Sequence, residues 1–355
     1  MPLWAWLVPA LSFGLLVVAG SLGVGVPLAT VCGIALLGTV IAAVHHAEVI
    51  AHRVGEPFGT LVLAVAVTVI EASLILSMMI AGGADMATVP RDTIYAATMI
   101  ICNGVIGICL LIGGLAHREQ SFRVEGAGAG MAALIAMSAL TLVIPAFTTT
   151  TAGGTYSTSQ LLFVASTSAA LWAVFVFIQT ISHRDYFIPV DNPADPDRHA
   201  EPPTMRAAWI SFAVLVLALI TVVGLAKVLS PSIEHAVATA GAPRPVVGIV
   251  IAMLVLLPES WAAARAARAD RLQSSMNLAI GSALACIGLT VPVVVLAAVA
   301  YDLPLELGLG PKDLVLITVT FLVSTFTLGT GRTHMMQGAV HLVMFAAFVF
   351  LAFVP

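Results

Sequence analysis

Apolar runs long enough to cross a bilayer follow one another from one end of this chain to the other, separated by short polar breaks. A helix crosses the hydrocarbon core in about 20 residues. Setting the runs against the breaks predicts eleven spans, at about 4–20, 25–44, 58–81, 94–115, 130–147, 160–182, 208–229, 246–264, 275–299, 313–331 and 337–354. The break around Ser21–Gly25 is the weakest, and without it the count falls to ten. Of 355 residues 60% are hydrophobic and 9% charged, where a soluble domain carries about 25% charged residues. Too little polar surface remains to cover a water-soluble globule, so the lipid bilayer is the solvent. The expected fold class is an all-α polytopic membrane protein. A net charge of −4 without any basic tract argues against nucleic acid as a partner. Cys32, Cys102, Cys109 and Cys286 lie inside apolar stretches without metal-type spacing and read as small core residues. Met1–Trp6 lacks a positive n-region, so the first apolar stretch reads as a retained span rather than a cleaved signal.

Orientation follows from the basic residues between the spans. On the side of the N-terminus fall Arg53, Arg118, Arg123, Arg184, Arg198, Arg206, Arg265, Arg268, Arg271 and Arg332. The other side holds Arg91, Lys227, Arg244 and Lys312. The N-terminus is therefore expected in the cytoplasm and the C-terminus outside. The longest polar break, 183–207, contains Asp185, Asp191, Asp195, Asp197 and Glu201 together with five prolines, and reads as an acidic cytoplasmic linker. It divides the chain into an extra N-terminal span (1–22), a first five-span half (23–182) and a second five-span half (208–355). Because five is odd, the halves enter the membrane in opposite senses, the layout of an inverted repeat with a substrate site where the halves meet. The second span of each half carries one acid, Glu71 and Glu259. The third is rich in small residues, around Asn103-Gly104 and Gly281-Ser282. The fourth carries hydroxyls, Ser138 and Thr141 against Thr320, Ser324 and Thr327.

Glu71 and Glu259 are the acids placed at mid-membrane depth. An ionised group there costs roughly 2.5–3.5 kcal/mol on insertion scales, and a bound proton or cation would compensate it. A dication between two carboxylates displaces the protons they hold, so one site that holds either Ca²⁺ or protons is the smallest machine for antiport. Ca²⁺ takes six to eight oxygen ligands. Thr68, Asn103, Asn277 and Ser282 are candidate secondary ligands, with backbone carbonyls that include one released by Pro258. His45, His46, Glu48 and His52 cluster at the end of the second span, where histidines titrate near neutrality. They read either as a proton and cation entry or as an ordinary interfacial helix end. The acidic linker reads as a solvated tether, without the spacing of an EF-hand loop.

The stretches AVTVIEASLIL around Glu71, LPESWAAARAARADRLQSSMNLAIGSALACIGLTVP around Glu259 and HHAEVIAHRVGEPFGTL resemble the calcium/cation antiporter superfamily. Within it they look most like the proton/calcium exchanger branch and the bacterial ChaA-type antiporters. The resemblance runs from about His45 to the C-terminus. It implies eleven spans with an acidic linker between the sixth and seventh, and cation and proton binding by Glu71 and Glu259. At those glutamates this chain reads Val-Thr-Val-Ile-Glu and Val-Leu-Leu-Pro-Glu, where the family often reads GNATE and GNAAE.

The expected function is therefore a secondary transporter, not an enzyme, in a bacterial inner membrane. It exchanges cytoplasmic Ca²⁺ for external protons, uses no cofactor, and has inorganic cations, protons and lipid as its partners; a homo-oligomer is left open. Na⁺/H⁺ or K⁺/H⁺ exchange by the same fold is the nearest alternative. A membrane-embedded hydrolase and a passive cation channel are more distant ones. A reporter enzyme that is active only outside the cytoplasm should work when fused at the C-terminus and fail when fused within the 183–207 linker; the reverse pattern would invert the topology.

Overall fold

In a computed structural model, residues 2–22, 25–55, 58–188, 203–239, 243 and 245–354 are described. Eleven helical units cover them, one for each expected span. The first is α1 (Leu3–Leu22), followed by α2 (Val26–Val54) and α3 (Phe58–Gly82). The next unit joins α4 (Val89–Met99) to α5 (Ile106–His117) through a π-helical turn, Ile100–Val105. Then come α6 (Val124–Ser138), which runs on through a π-helical turn at Ala139–Val143, and α7 (Thr158–Phe177), which does so at Ile178–Ser182. The remaining units are α8 (Met205–Thr239), α9 (Pro245–Arg268), α10 (Leu272–Ala300), α11 (Pro311–Leu328) and α12 (Met335–Phe353). Length and apolarity qualify ten helices as membrane spans, and α9 makes an eleventh when its two bent parts are taken together. The central part of the acidic linker lies outside the described residues.

Several helices outrun the expected spans. One of them, α2, continues ten residues past the expected end and stops where Gly55 turns to φ +81. A helix satisfies its own backbone hydrogen bonds whatever surrounds it, so leaving the hydrocarbon does not end it. A residue that can adopt positive φ does. The 45–52 cluster consequently rides on the last turns of a spanning helix. Large apolar side chains such as Trp261, Phe326 and Phe163 point outward, as lipid contact requires.

The two most enclosed of the ten spans are α4–α5 and α10, each 67% buried, and both are the third span of their expected half. The packing is reciprocal. Helix α10 lies against α3 and α7, while α4–α5 lies against α9 and α12, the corresponding helices of the other half. The loops repeat the pattern. On one face β1 (Glu119–Ser121) pairs antiparallel with β2 (Arg332–His334). On the opposite face Thr155 bridges to Glu306. In each pair, a segment between the third and fourth spans of one half meets a segment between the fourth and fifth of the other. Glycine permits the closest approaches: a Cβ on Gly114 would meet the backbone of Met335 at 2.5 Å, and one on Gly248 the backbone of Asp92 at 2.9 Å.

On the face away from β1 and β2, Arg91 fastens the start of α4. Its Nε donates to Asp92 Oδ1 (2.9 Å), and its Nη1 donates to Glu306 Oε1 (2.5 Å) and to the Gly308 carbonyl (3.0 Å). The side chain is 15% exposed. Arg332, by contrast, meets Glu119 at 3.5 Å while 76% exposed. Losing charged hydrogen bonds from a largely buried side chain costs about 1.5–3 kcal/mol, whereas an exposed pair contributes about 0–1 kcal/mol. Thermal unfolding in detergent should therefore show Arg91→Ala clearly less stable than the native chain and Arg332→Ala nearly unchanged. Equal effects would contradict this account of the loop.

Candidate functional site

Glu71 sits at the middle of α3 and Glu259 at the middle of α9; they are 2% and 3% exposed. Both meet the same face of α10. Ser282 Oγ donates to Glu259 Oε2 at 2.5 Å, and Cys286 Sγ donates to Glu71 Oε1 at 3.0 Å. Ser282 and Cys286 are four residues apart, so they share a helix face and stand about 6 Å apart along the axis. Helices α9 and α10 thus supply one carboxylate and both donors, and α3 supplies the other carboxylate, so helices from before and after the 183–207 break converge here. Both donors are neutral, so neither carboxylate receives a positive charge through these bonds. Glu259 Oε1 has no hydrogen-bond partner. It borders a small cavity whose other walls include Ile101, Val105, Leu256, Leu278 and Ser282.

Local sequence accounts for the position of Glu259. It is the first residue after a bend of 51° between Gly248–Leu257 and Glu259–Arg268. Pro258 stands at the break, and a proline inside a helix removes one backbone donor and frees a carbonyl one turn earlier.

The other expected site residues divide. Thr68 is buried one turn from Glu71 on the same helix and donates to its own helix at the Ala64 carbonyl (2.8 Å). Asn103 lies within the π-helical turn and is fully buried. Its Nδ2 donates to Thr320 Oγ1 of α11 (2.9 Å), and its Oδ1 has no partner. Thr320 thereby joins the polar interior, as the hydroxyl pattern of the fourth spans suggests. Asn277 is not brought to the carboxylates. It accepts from Gln273 Nε2 (2.9 Å) and donates to the Phe187 carbonyl (2.5 Å), which pins the segment after α7 over the start of α10.

The residues of the 45–52 cluster have different surroundings. His46 is fully buried and joins α2 to α8 and α1: Nδ1 meets Ser211 Oγ and Nε2 meets the Ala5 carbonyl, both at 3.0 Å. A carbonyl only accepts, so Nε2 carries the proton and, in the neutral ring, Nδ1 accepts from Ser211. His45 packs against Trp4 with ring centroids 5.2 Å apart, Glu48 is half-buried, and His52 is exposed.

Cys286 is the residue that sequence reasoning missed. Its apolar setting suggested core packing, yet its thiol touches a buried carboxylate. Its spacing of four from Ser282 was the available signal. Among the described residues no three His, Cys, Asp or Glu side chains stand close enough together to hold a metal ion. Oxygen atoms of hydroxyls, amides and backbone must therefore complete any cation's shell, or the carboxylates must close further.

Comparison with known proteins places this geometry. Residues 24–181 and 210–354 match the family described as "Sodium/calcium exchanger protein". The chain is 45% identical over its whole length to 97% of "Putative ionic transporter y4hA" of Sinorhizobium fredii. It is 35% identical over 90% of its length to 87% of the sodium-potassium/proton antiporter ChaA of Escherichia coli. The fold matches the structure of native YfkE, with a TM-score of 0.73 at 18% identity over 99% of this chain and 100% of that one. It also matches the crystal structure of the H⁺/Ca²⁺ exchanger CAX, with a TM-score of 0.72 at 12% identity over 98% and 87%. This chain is a multi-pass membrane protein that belongs to the sodium/calcium exchanger protein family, whose members are transporters rather than enzymes.

Proposed function

We propose that this protein exchanges cytoplasmic Ca²⁺ for external protons by alternating access at a site shared by Glu71 and Glu259. The observation that carries the proposal is the pair of buried carboxylates, Glu71 on α3 and Glu259 on α9, held by uncharged donors on adjacent turns of α10. Such a pair needs positive charge from outside the protein, and a dication or protons supply it interchangeably. Glu259 Oε1 is the free ligand atom. Ser282, Thr68 and Asn103 add side-chain oxygens, and the bend at Pro258 adds a carbonyl. The relatives support the chemistry: a Ca²⁺/H⁺ antiporter of Aphanothece halophytica is 24% identical over 87% of this chain.

The reciprocal packing supports the division into an extra first span and two inverted five-span halves, joined through the acidic linker. One half rocking against the other would open the site to either face in turn. The excess of basic residues in the loops on one side supports an N-terminus in the cytoplasm of a bacterial cell and a C-terminus outside the inner membrane. A specific observation favours a second reading. The 35% identical relative from Escherichia coli is by name a sodium-potassium/proton antiporter, so Na⁺/H⁺ or K⁺/H⁺ exchange at the same two glutamates is the alternative.

Liposomes with an acidic interior and a trapped pH dye separate these readings. External CaCl₂ should release protons from vesicles holding the native protein, and Glu71→Gln and Glu259→Gln should abolish the release. Release by NaCl or KCl but not CaCl₂ would transfer the function to the alternative. No release by any cation, or unimpaired glutamine variants, would end the shared-site mechanism. In the same assay Ser282→Ala should slow exchange at limiting cation about tenfold, since a hydrogen bond to a charged group contributes about 1.5–3 kcal/mol. Asn277→Ala should leave exchange within about twofold and lower thermal stability by about 1 kcal/mol. An Asn277→Ala protein that is stable but inactive would return Asn277 to the ligand set.

A further inference from the structure

We infer that a cavity between the first turns of α4 and α11 is a proton-binding site, where Asp92 and Asp313 hold a proton beside the Tyr95 hydroxyl and pass external protons toward the two glutamates. This rests on the exchange reading and its orientation. Asp92, Tyr95, Lys312 and Asp313 line the cavity, with Ile249 of α9 and Phe348 of α12 among its apolar walls. Both acids stand in the first turn of their helices, on the face away from β1 and β2. Tyr95 is 5% exposed, and its ring meets Phe348 edge-on with centroids 5.5 Å apart. Its hydroxyl makes no hydrogen bond, although it lies beside Asp313. A buried phenol ordinarily finds a partner, and a proton carried on the neighbouring carboxylate, or the water that delivers it, supplies one.

Charge points the same way. Around the cavity the described charged groups are three carboxylates, Asp92, Glu306 and Asp313, and two cations, Arg91 and Lys312. Arg91 serves Asp92 and Glu306 together. Lys312 Nζ donates to the Leu351 carbonyl (2.7 Å) and stands 3.9 Å from Asp313 Oδ1. One negative charge is left over. The three acids are not close enough together to hold a metal ion, so the ligand that neutralises them is a proton. Its uptake adds one O–H bond to a carboxylate, and the hydronium that gave it leaves as water. A seam then leads inward. Asp92, Met99 and Asn103 follow one face of the α4–α5 unit, and Asp313 and Thr320 follow one face of α11. Asn103 Nδ2 donates to Thr320 Oγ1 (2.9 Å), and Thr320 Oγ1 donates to Met99 Sδ (3.5 Å). The π-helical turn where this seam ends also contributes Ile101 and Val105 to the wall of the Glu259 cavity.

Two measurements on the full-length protein test this. The first is infrared difference spectroscopy on acidification, in a Glu71→Gln/Glu259→Gln background that removes the site glutamates. A carboxylic-acid C=O band should appear, Asp313→Asn should lose it, and Tyr95→Phe should shift its frequency. Tyr95→Phe keeps the ring and serves as the second variant should the asparagine protein fail to elute as its parent does. No band in the parent, or a band unmoved in both variants, would overturn the inference. The second is exchange in everted membrane vesicles, whose lumen meets the external face. Asp313→Asn should need about tenfold more lumenal protons for half-maximal exchange, a shift of about one pH unit, with the cation concentration for half-maximal exchange unchanged. A rate that no lumenal pH restores, or an equal loss of cation affinity, would mark a structural role and also overturn it. The two readings fail separately. A band without exchange in the native protein would end the exchange reading and leave the proton site standing, and exchange with no band in the parent would do the opposite.

Discussion

Two carboxylates buried at mid-membrane and fastened to one face of one helix are the constraint around which this molecule is arranged. A carboxylate at that depth is costly in lipid, so Glu71 and Glu259 must face inward and must find donors. Helix α10 supplies both through Ser282 and Cys286. This requires α3 and α9, which come from different halves of the chain, to converge on it. The central placement of α10 and its enclosure by α3, α7, α6 and α9 follow from that requirement as much as from apolar packing.

The reciprocal partner, α4–α5, is equally enclosed but chemically different. Its π-helical turn carries Asn103, which looks to α11 through Thr320 rather than to a carboxylate hydrogen bond. Alternative backbone pairing of this kind recurs at functional sites. The two halves are thus alike in packing and unlike in donors. An exchanger built on inverted halves must move between two arrangements of closely similar energy, and unequal donors would let those arrangements differ in what they hold.

Stability is placed away from this centre. Arg91 ties the start of α4 to the loop holding Glu306 and Gly308, while β1 and β2 with the Gln273–Asn277–Phe187 contacts close the opposite face. His46 joins α1, α2 and α8 with both ring nitrogens engaged. These anchors lie near the faces, where polar groups are inexpensive, and leave the interior to the two glutamates and the groups that touch them.

The sequence by itself determined the lipid solvent, the eleven helical units and the two acids buried in the middle of their helices. Hydropathy and the cost of burying charge are properties of short stretches, readable without knowing what packs against them. Tertiary structure decided which side chains meet those acids. It turned Cys286 from a filler into a donor, and it turned Asn277 toward Phe187. It also carried α2 past its expected end and buried His46 between helices. Such outcomes depend on how each helix is rotated about its axis. In lipid that rotation is set by packing and hydrogen bonds rather than by a hydrophobic face, and it leaves little trace in an evenly apolar sequence.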